Sequence, residues 1–144
     1  MIYTPLLQRP KTFFIDIDGV ILKQGDNWPL KTYDQRAFEA IPGSVKTINE
    51  LFTAGHTIVL TTARAEPYRA ATEYQLQRIA LQYDQMLMGL PTGQRVLIND
   101  RKNEEPGIPT AIAINLTRDE GITEFDLARS EKNWKHLLDV GVDL

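Results

Sequence analysis

The sequence predicts an α/β domain on a mainly parallel sheet, and three observations carry that expectation. Short, nearly continuous apolar runs alternate with helical patterns along the chain. Those runs lack the polar alternation of a half-solvated sheet, which fits strands buried on both faces. At 144 residues the chain is sized for one domain, 1–144, that buries roughly 70% of its unfolded surface.

Phe13 to Ile17 opens the pattern as a short buried strand. The segment from Val20 to Ile41 is irregular, holds Gly25, Asp26, Asn27 and Pro29, and suits a small hairpin or flap. Pro42 and Gly43 open a helix to about Ala54. Val45, Ile48, Leu51 and Phe52 fall on one face of it, and Gly55 suits its end. His56 to Thr62 reads as a buried β-branched strand. Pro67 fits the first turn of a helix to about Gln82, with Tyr68, Leu76, Ile79 and Ala80 on one side. Arg95 to Asn99 and Ala111 to Asn115 read as two further strands, joined to what precedes by a connection from Tyr83 to Gln94. Ser130 suits the cap of a last helix, Glu131 to about Val140, presenting Trp134, Leu137 and Leu138 inward.

Composition narrows the function. The net charge of −3 gives no basic footprint and argues against a nucleic-acid partner. The absence of cysteine excludes disulfides, thiolate metal sites and a thiol nucleophile. The first residues, MIYTPLLQRP, are too short and broken for a signal peptide, and no stretch approaches a membrane span. A soluble, cytoplasmic protein without a membrane partner is the expectation.

The chemistry concentrates in residues 13–20, FFIDIDGV. Asp16 and Asp18 are two apart at a strand end, so their side chains point the same way. Like charges so placed repel unless a cation lies between them, and oxygen-only ligands suit Mg²⁺. In an open parallel sheet, ligands bind beyond the C-terminal strand ends. The first strand ends in Asp16 and Asp18, the second in Thr61, Thr62 and Arg64, and the third in Asn99 and Asp100. Brought to one edge, these groups form a kit for holding Mg²⁺ against a phosphoryl group.

Over roughly residues 11–116 the chain resembles the haloacid dehalogenase superfamily. The signature DxDG followed by Thr or Val matches Asp16-Ile17-Asp18-Gly19-Val20; a Thr-ended apolar strand matches Ile58 to Thr62; an acidic pair after an apolar strand matches Val96 to Asp100, with Asn99 in the first acidic place. The resemblance implies a three-layer, Rossmann-like α/β/α fold without a cap domain, since residues 20–41 leave room only for a flap. It also implies hydrolysis of a phosphomonoester with Mg²⁺ as cofactor. Asp16 is then the nucleophile that becomes an aspartyl-phosphate. Asp18 is the acid that protonates the leaving oxygen and the base that activates water. Mg²⁺ contacts Asp16, the backbone carbonyl of Asp18, and Asp100, with Asn99 offering an amide oxygen. Gly19 lets the chain turn away from the metal. Thr62 bonds the phosphoryl oxygens in preference to Thr61, because Thr62-Ala63-Arg64 is similar to the Ser-Gly-Arg of polynucleotide phosphatases, and Arg64 offers the phosphate a fork.

The chain departs from the family at the lysine of its third motif. Gly-Lys-Pro precedes the fourth motif in small capless relatives, whereas this chain has Gly89-Leu90-Pro91. Lys102, just past Asp100, is the preferred substitute and Lys23 in the flap a weaker one. Arg95, at the start of its strand, is expected about 13 Å from the catalytic edge. His56 and His136 are read as structural before catalytic, and Trp28 in the flap suits contact with substrate or another subunit equally with anchoring its loop. The leading expectation is a Mg²⁺-dependent phosphatase of a small phosphorylated metabolite such as a sugar phosphate, its open site closed by the substrate or by a homo-oligomer. A polynucleotide or nucleotide phosphatase and a catalytically weak phosphate-binding module are the alternatives.

Overall fold

The computed structural model describes residues 3–24 and 38–122. Residues 25–37, with Trp28, and the helix expected over Glu131 to Val140, with Ser130 and His136, lie outside the described residues. Within them the chain is an α/β structure: β1 (Thr12–Asp16), α1 (Ser44–Thr53), β2 (Thr57–Thr61), α2 (Arg69–Arg78) and β3 (Gln85–Leu87). The three strands form one sheet in the order β1-β2-β3, and both pairings are parallel.

β1 and β2 pair over their full lengths, with Phe13 beside Ile58, Ile15 beside Leu60 and Asp16 beside Thr61. The two-residue period of a strand then sorts the side chains. Ile15, Ile58, Leu60 and Met86 join the buried core with Ile48 and Leu51 of α1 and Leu76 of α2. Thr12, Phe14 and Asp16, with Thr57, Val59 and Thr61, share the opposite face. Phe14 is 55% exposed there, whereas Ile58 and Leu60 on the core face are fully buried.

α1 ends where Gly55 adopts φ +101, a conformation that carries little penalty without a Cβ. His56 N–H then reaches the Leu51 carbonyl and Gly55 N–H the Phe52 carbonyl, both at 3.1 Å, which satisfies the last turn of the helix. Asn49 of α1 joins the end of α2. Its amide donates to Ala80 O at 3.0 Å, and its oxygen accepts from Gln82 N–H at 2.8 Å. Asp84 fixes the entry to β3 by accepting from Ile58 N–H at 2.8 Å.

Three sequence expectations need correction. Residues 83–94 were expected to be only a connection, yet Gln85–Leu87 is the third strand, and Leu60 and Met86 are partners in register. Three residues give too short a run for periodicity to register. The runs at Arg95 to Asn99 and Ala111 to Asn115 form no strand, and Val96 and Ile98 are 80% and 89% exposed. Past Gly89 at φ +72, Leu90 N–H still donates to Thr62 O at 3.1 Å, but Pro91 has no N–H to continue the ladder, and the apolar run at Val96 pairs with no strand. The helix expected from Pro67 to Gln82 is a short 3-10 turn, Glu66–Tyr68, followed by α2. It ends at Arg78, and Ala80 at φ +58 breaks the pattern.

Candidate active site

The C-terminal ends of β1 and β2 open into a cavity of about 330 Å³ lined by Asp16, Asp18, Gln24, Thr61, Ala63, Thr92, Gly93, Arg95 and Arg118. β1 delivers Asp16. The turn after it is built by Ile17, whose carbonyl accepts from Ile21 N–H at 2.8 Å and Leu22 N–H at 3.0 Å. Gly19 takes φ +89 in this turn, and its N–H donates to Leu22 O at 2.8 Å. Ser44 locks the turn to α1 by donating its hydroxyl to Val20 O at 2.6 Å.

Asp16 points its carboxylate at the cavity, where Oδ1 accepts from Ile17 N–H at 3.0 Å. Crowding by the surrounding protein raises its pKa above the ordinary carboxylate value, and the Asp18 charge pushes the same way. The Ile17 N–H, Arg95 and Arg118 oppose that rise. Thr61 stands beside Asp16 in register on the same face and lines the cavity.

Thr62 is 1% exposed and faces inward, as the strand period requires. Its hydroxyl accepts from Arg64 N–H at 3.0 Å. The hydroxyl beside Asp16 is therefore that of Thr61, although the sequence favoured Thr62. The signal that would have found Thr61 is the register of β1 on β2, which a single sequence does not display.

Arg64 is fully buried and turns its fork on Asp18. Nε donates to Asp18 Oδ2 at 3.0 Å and Nη2 to Oδ1 at 2.8 Å, while Nη1 donates to Thr72 Oγ1 at 3.0 Å and to Gln75 Oε1 at 2.7 Å. The geometry that was expected to grip a phosphate grips a carboxylate instead. Asp18 is held rigidly beside Asp16, with both of its oxygens accepting from the guanidinium.

Asn99, Asp100 and Lys102 are not brought to this cavity. Asn99 Nδ2 donates to Thr110 O at 3.3 Å, the Asp100 side chain is 82% exposed, and Lys102 Nζ lies 3.9 Å from Asp100 Oδ1. Lys23 pairs with Glu39 at 3.0 Å. Arg95 does reach the cavity, because it does not begin a strand and the 13 Å spacing falls away. Its Nη1 donates to Gly93 O at 2.8 Å, which curls the side chain back toward its own loop. Arg118 is the residue that sequence reasoning missed. It follows the last apolar run, far from every motif, and only the fold brings it over Gly19.

Among the described residues no group of three or more His, Cys, Asp or Glu side chains converges as a metal cage. The lining residues that carry side-chain oxygen are Asp16, Asp18, Gln24, Thr61 and Thr92, and Arg64 engages both oxygens of Asp18. Such a set fits a cation like Mg²⁺, which keeps several waters and is held by one or two carboxylates plus substrate phosphate. Comparison with protein-family models, with curated proteins and with solved structures finds no match to this chain.

Proposed function

We propose that the chain is a capless haloacid-dehalogenase-like phosphatase that hydrolyses a phosphomonoester of a small metabolite, with Mg²⁺ as cofactor. The observation that carries this reading is the register pair Asp16 and Thr61 at the mouth of a cavity that also holds Arg95 and Arg118. A carboxylate nucleophile, a hydroxyl donor and two cations are what in-line attack on a phosphoryl group requires. The parallel sheet and its α/β connections support the corresponding three-layer fold.

In this reading an Asp16 oxygen attacks phosphorus as the ester oxygen leaves, and water then cleaves the aspartyl-phosphate and restores Asp16. Thr61 donates its hydroxyl to a phosphoryl oxygen. Asp18 separates one oxygen from Arg64, takes up a proton from solvent there, hands it to the leaving oxygen, and as the carboxylate then takes one from the attacking water. Asp16 and the turn that follows it would hold Mg²⁺, which when bound would neutralise charge on the phosphoryl group.

The Arg64–Asp18 fork also favours a second reading, a phosphate-binding module with slow turnover, because an acid–base carboxylate works best with an oxygen available. Phosphate release from a metabolite panel with Mg²⁺, compared with Asp16→Asn, tests the first reading: equal release by both proteins sinks it. Phosphate binding without release from any ester, and no beryllium fluoride adduct on Asp16, identifies the second.

A further inference from the structure

We infer that Arg118 is the phosphoryl-binding cation of this cavity and fills the place left by Leu90. The inference rests on the phosphoryl reading of Asp16 and names the group that neutralises its ligand.

Placement is the first argument. Arg118 lies over Gly19, the residue after Asp18, so closely that a Cβ on Gly19 would meet Arg118 Cγ at 3.3 Å. Its charge is among those that lower the Asp16 pKa. The position is held by a clasp. Asp119 N–H donates to Gly19 O at 2.8 Å, and Asp119 Oδ1 accepts from Gln24 N–H at 2.9 Å, a contact between residues 95 apart in sequence. Asp119 adopts φ +65 to do so, a conformation that non-glycine residues rarely take and that persists where surroundings enforce it. Beyond it, Ile122 N–H donates to Ser44 Oγ at 2.9 Å, the same hydroxyl that holds Val20.

Chemistry supplies the second argument. The other candidate cations are engaged or distant: Arg64 on Asp18, Lys23 on Glu39, Arg95 Nη1 on its own loop, and Lys102 beside Asp100 away from the cavity. Arg118 makes no hydrogen bond or ion pair among the described residues, and its side chain lines the cavity with Asp16. A guanidinium so placed has its planar fork free for two phosphoryl oxygens, a geometry that a lysine at Leu90 would not offer.

The test is inorganic phosphate binding by titration calorimetry, with circular dichroism as the check on folding. Wild type, Arg118→Gln, Arg118→Lys and Arg95→Gln are compared. Loss of a bidentate charged contact weakens binding about ten- to a hundredfold in Arg118→Gln. Arg118→Lys recovers part of it, Arg95→Gln loses less, and added guanidinium ion restores phosphate binding to Arg118→Ala. Folded Arg118→Gln that binds phosphate within about twofold of wild type overturns the inference and leaves the phosphatase reading standing. Wild type that binds phosphate through Arg118 yet releases none from any ester supports the inference and removes the phosphatase. No binding by wild type removes both.

Discussion

Replacing Arg64 by Met tests the internal logic of the site. The substitution keeps an apolar stem in a fully buried position and deletes the guanidinium. Asp18, whose side chain is 11% exposed, then loses the partner of both oxygens, and Thr72 and Gln75 each lose a donor. Removing one member of a buried ion pair costs about 3–5 kcal/mol, because the remaining charge stays desolvated and unpaired. A domain is stable by about 5–15 kcal/mol, so the loss is a large fraction of the total. With a urea m-value near 2 kcal/mol/M, the unfolding midpoint falls by about 2 M. Arg64→Lys retains the charge but not the fork, and falls in between. Arg64→Met combined with Asp18→Asn removes the stranded charge and recovers about 2 kcal/mol, measured as a coupling energy in a double-mutant cycle. A midpoint for Arg64→Met within about 0.3 M of wild type, or singles and double that add within about 0.5 kcal/mol, would refute the pairing as the element that fixes Asp18.

Three further outcomes follow from the geometry. Gly121→Ala places a Cβ 2.7 Å from Ile41 Cγ2 and from Ser44 Oγ at φ +87, so it destabilises by about 2 kcal/mol or more; Gly55→Ala, at φ +101 with open space around it, loses only about 1 kcal/mol, and urea midpoints of the pair separate steric from dihedral cost. His56 is 3% exposed and its Nδ1 accepts from Lys11 N–H, while burial and then the Lys11 charge lower its pKa below 6.5. The neutral ring therefore stabilises the fold above pH 6.5, and that contribution is lost as pH falls through the depressed folded value. The slope approaches about 1.4 kcal/mol per pH unit, and His56→Gln should flatten it in chemical denaturation from pH 7 to 5. Leu76→Ala empties a fully buried position between α2 and the sheet and destabilises by about 2–5 kcal/mol, read as a fall in thermal midpoint.

β1, α1 and β2 were legible in the sequence because each is a strong periodic segment with its own punctuation, such as Gly55 after α1. The Asp16-Ile17-Asp18-Gly19 turn was legible for the same reason: residue types and spacing on one local segment announced it. What sequence could not supply was pairing. The partner of Asp16 across the sheet depends on the register of β2, and a one-residue difference exchanges Thr61 for Thr62 between cavity and core. The apolar run at Val96 looked like a strand because burial was assumed for it, and burial is a property of neighbours. Lys102 was preferred by closeness in sequence to Asp100, and it stays with Asp100. Arg118 had no motif around it at all. Its role is created by the hydrogen bonds of Asp119 to Gly19 and Gln24, which no local pattern encodes.

The clasp of residues 117–122 over the first turn also sets the order in which the molecule can be completed. β1 and β2 can pair with each other once residue 61 has been made, so this much of the sheet can assemble early during synthesis. The cavity cannot. Its Arg118 wall and the N–H that Ser44 awaits arrive only after residue 122 has left the ribosome. A nascent or truncated chain ending before residue 117 would present Asp16 without that wall, so the sheet can exist before the site does.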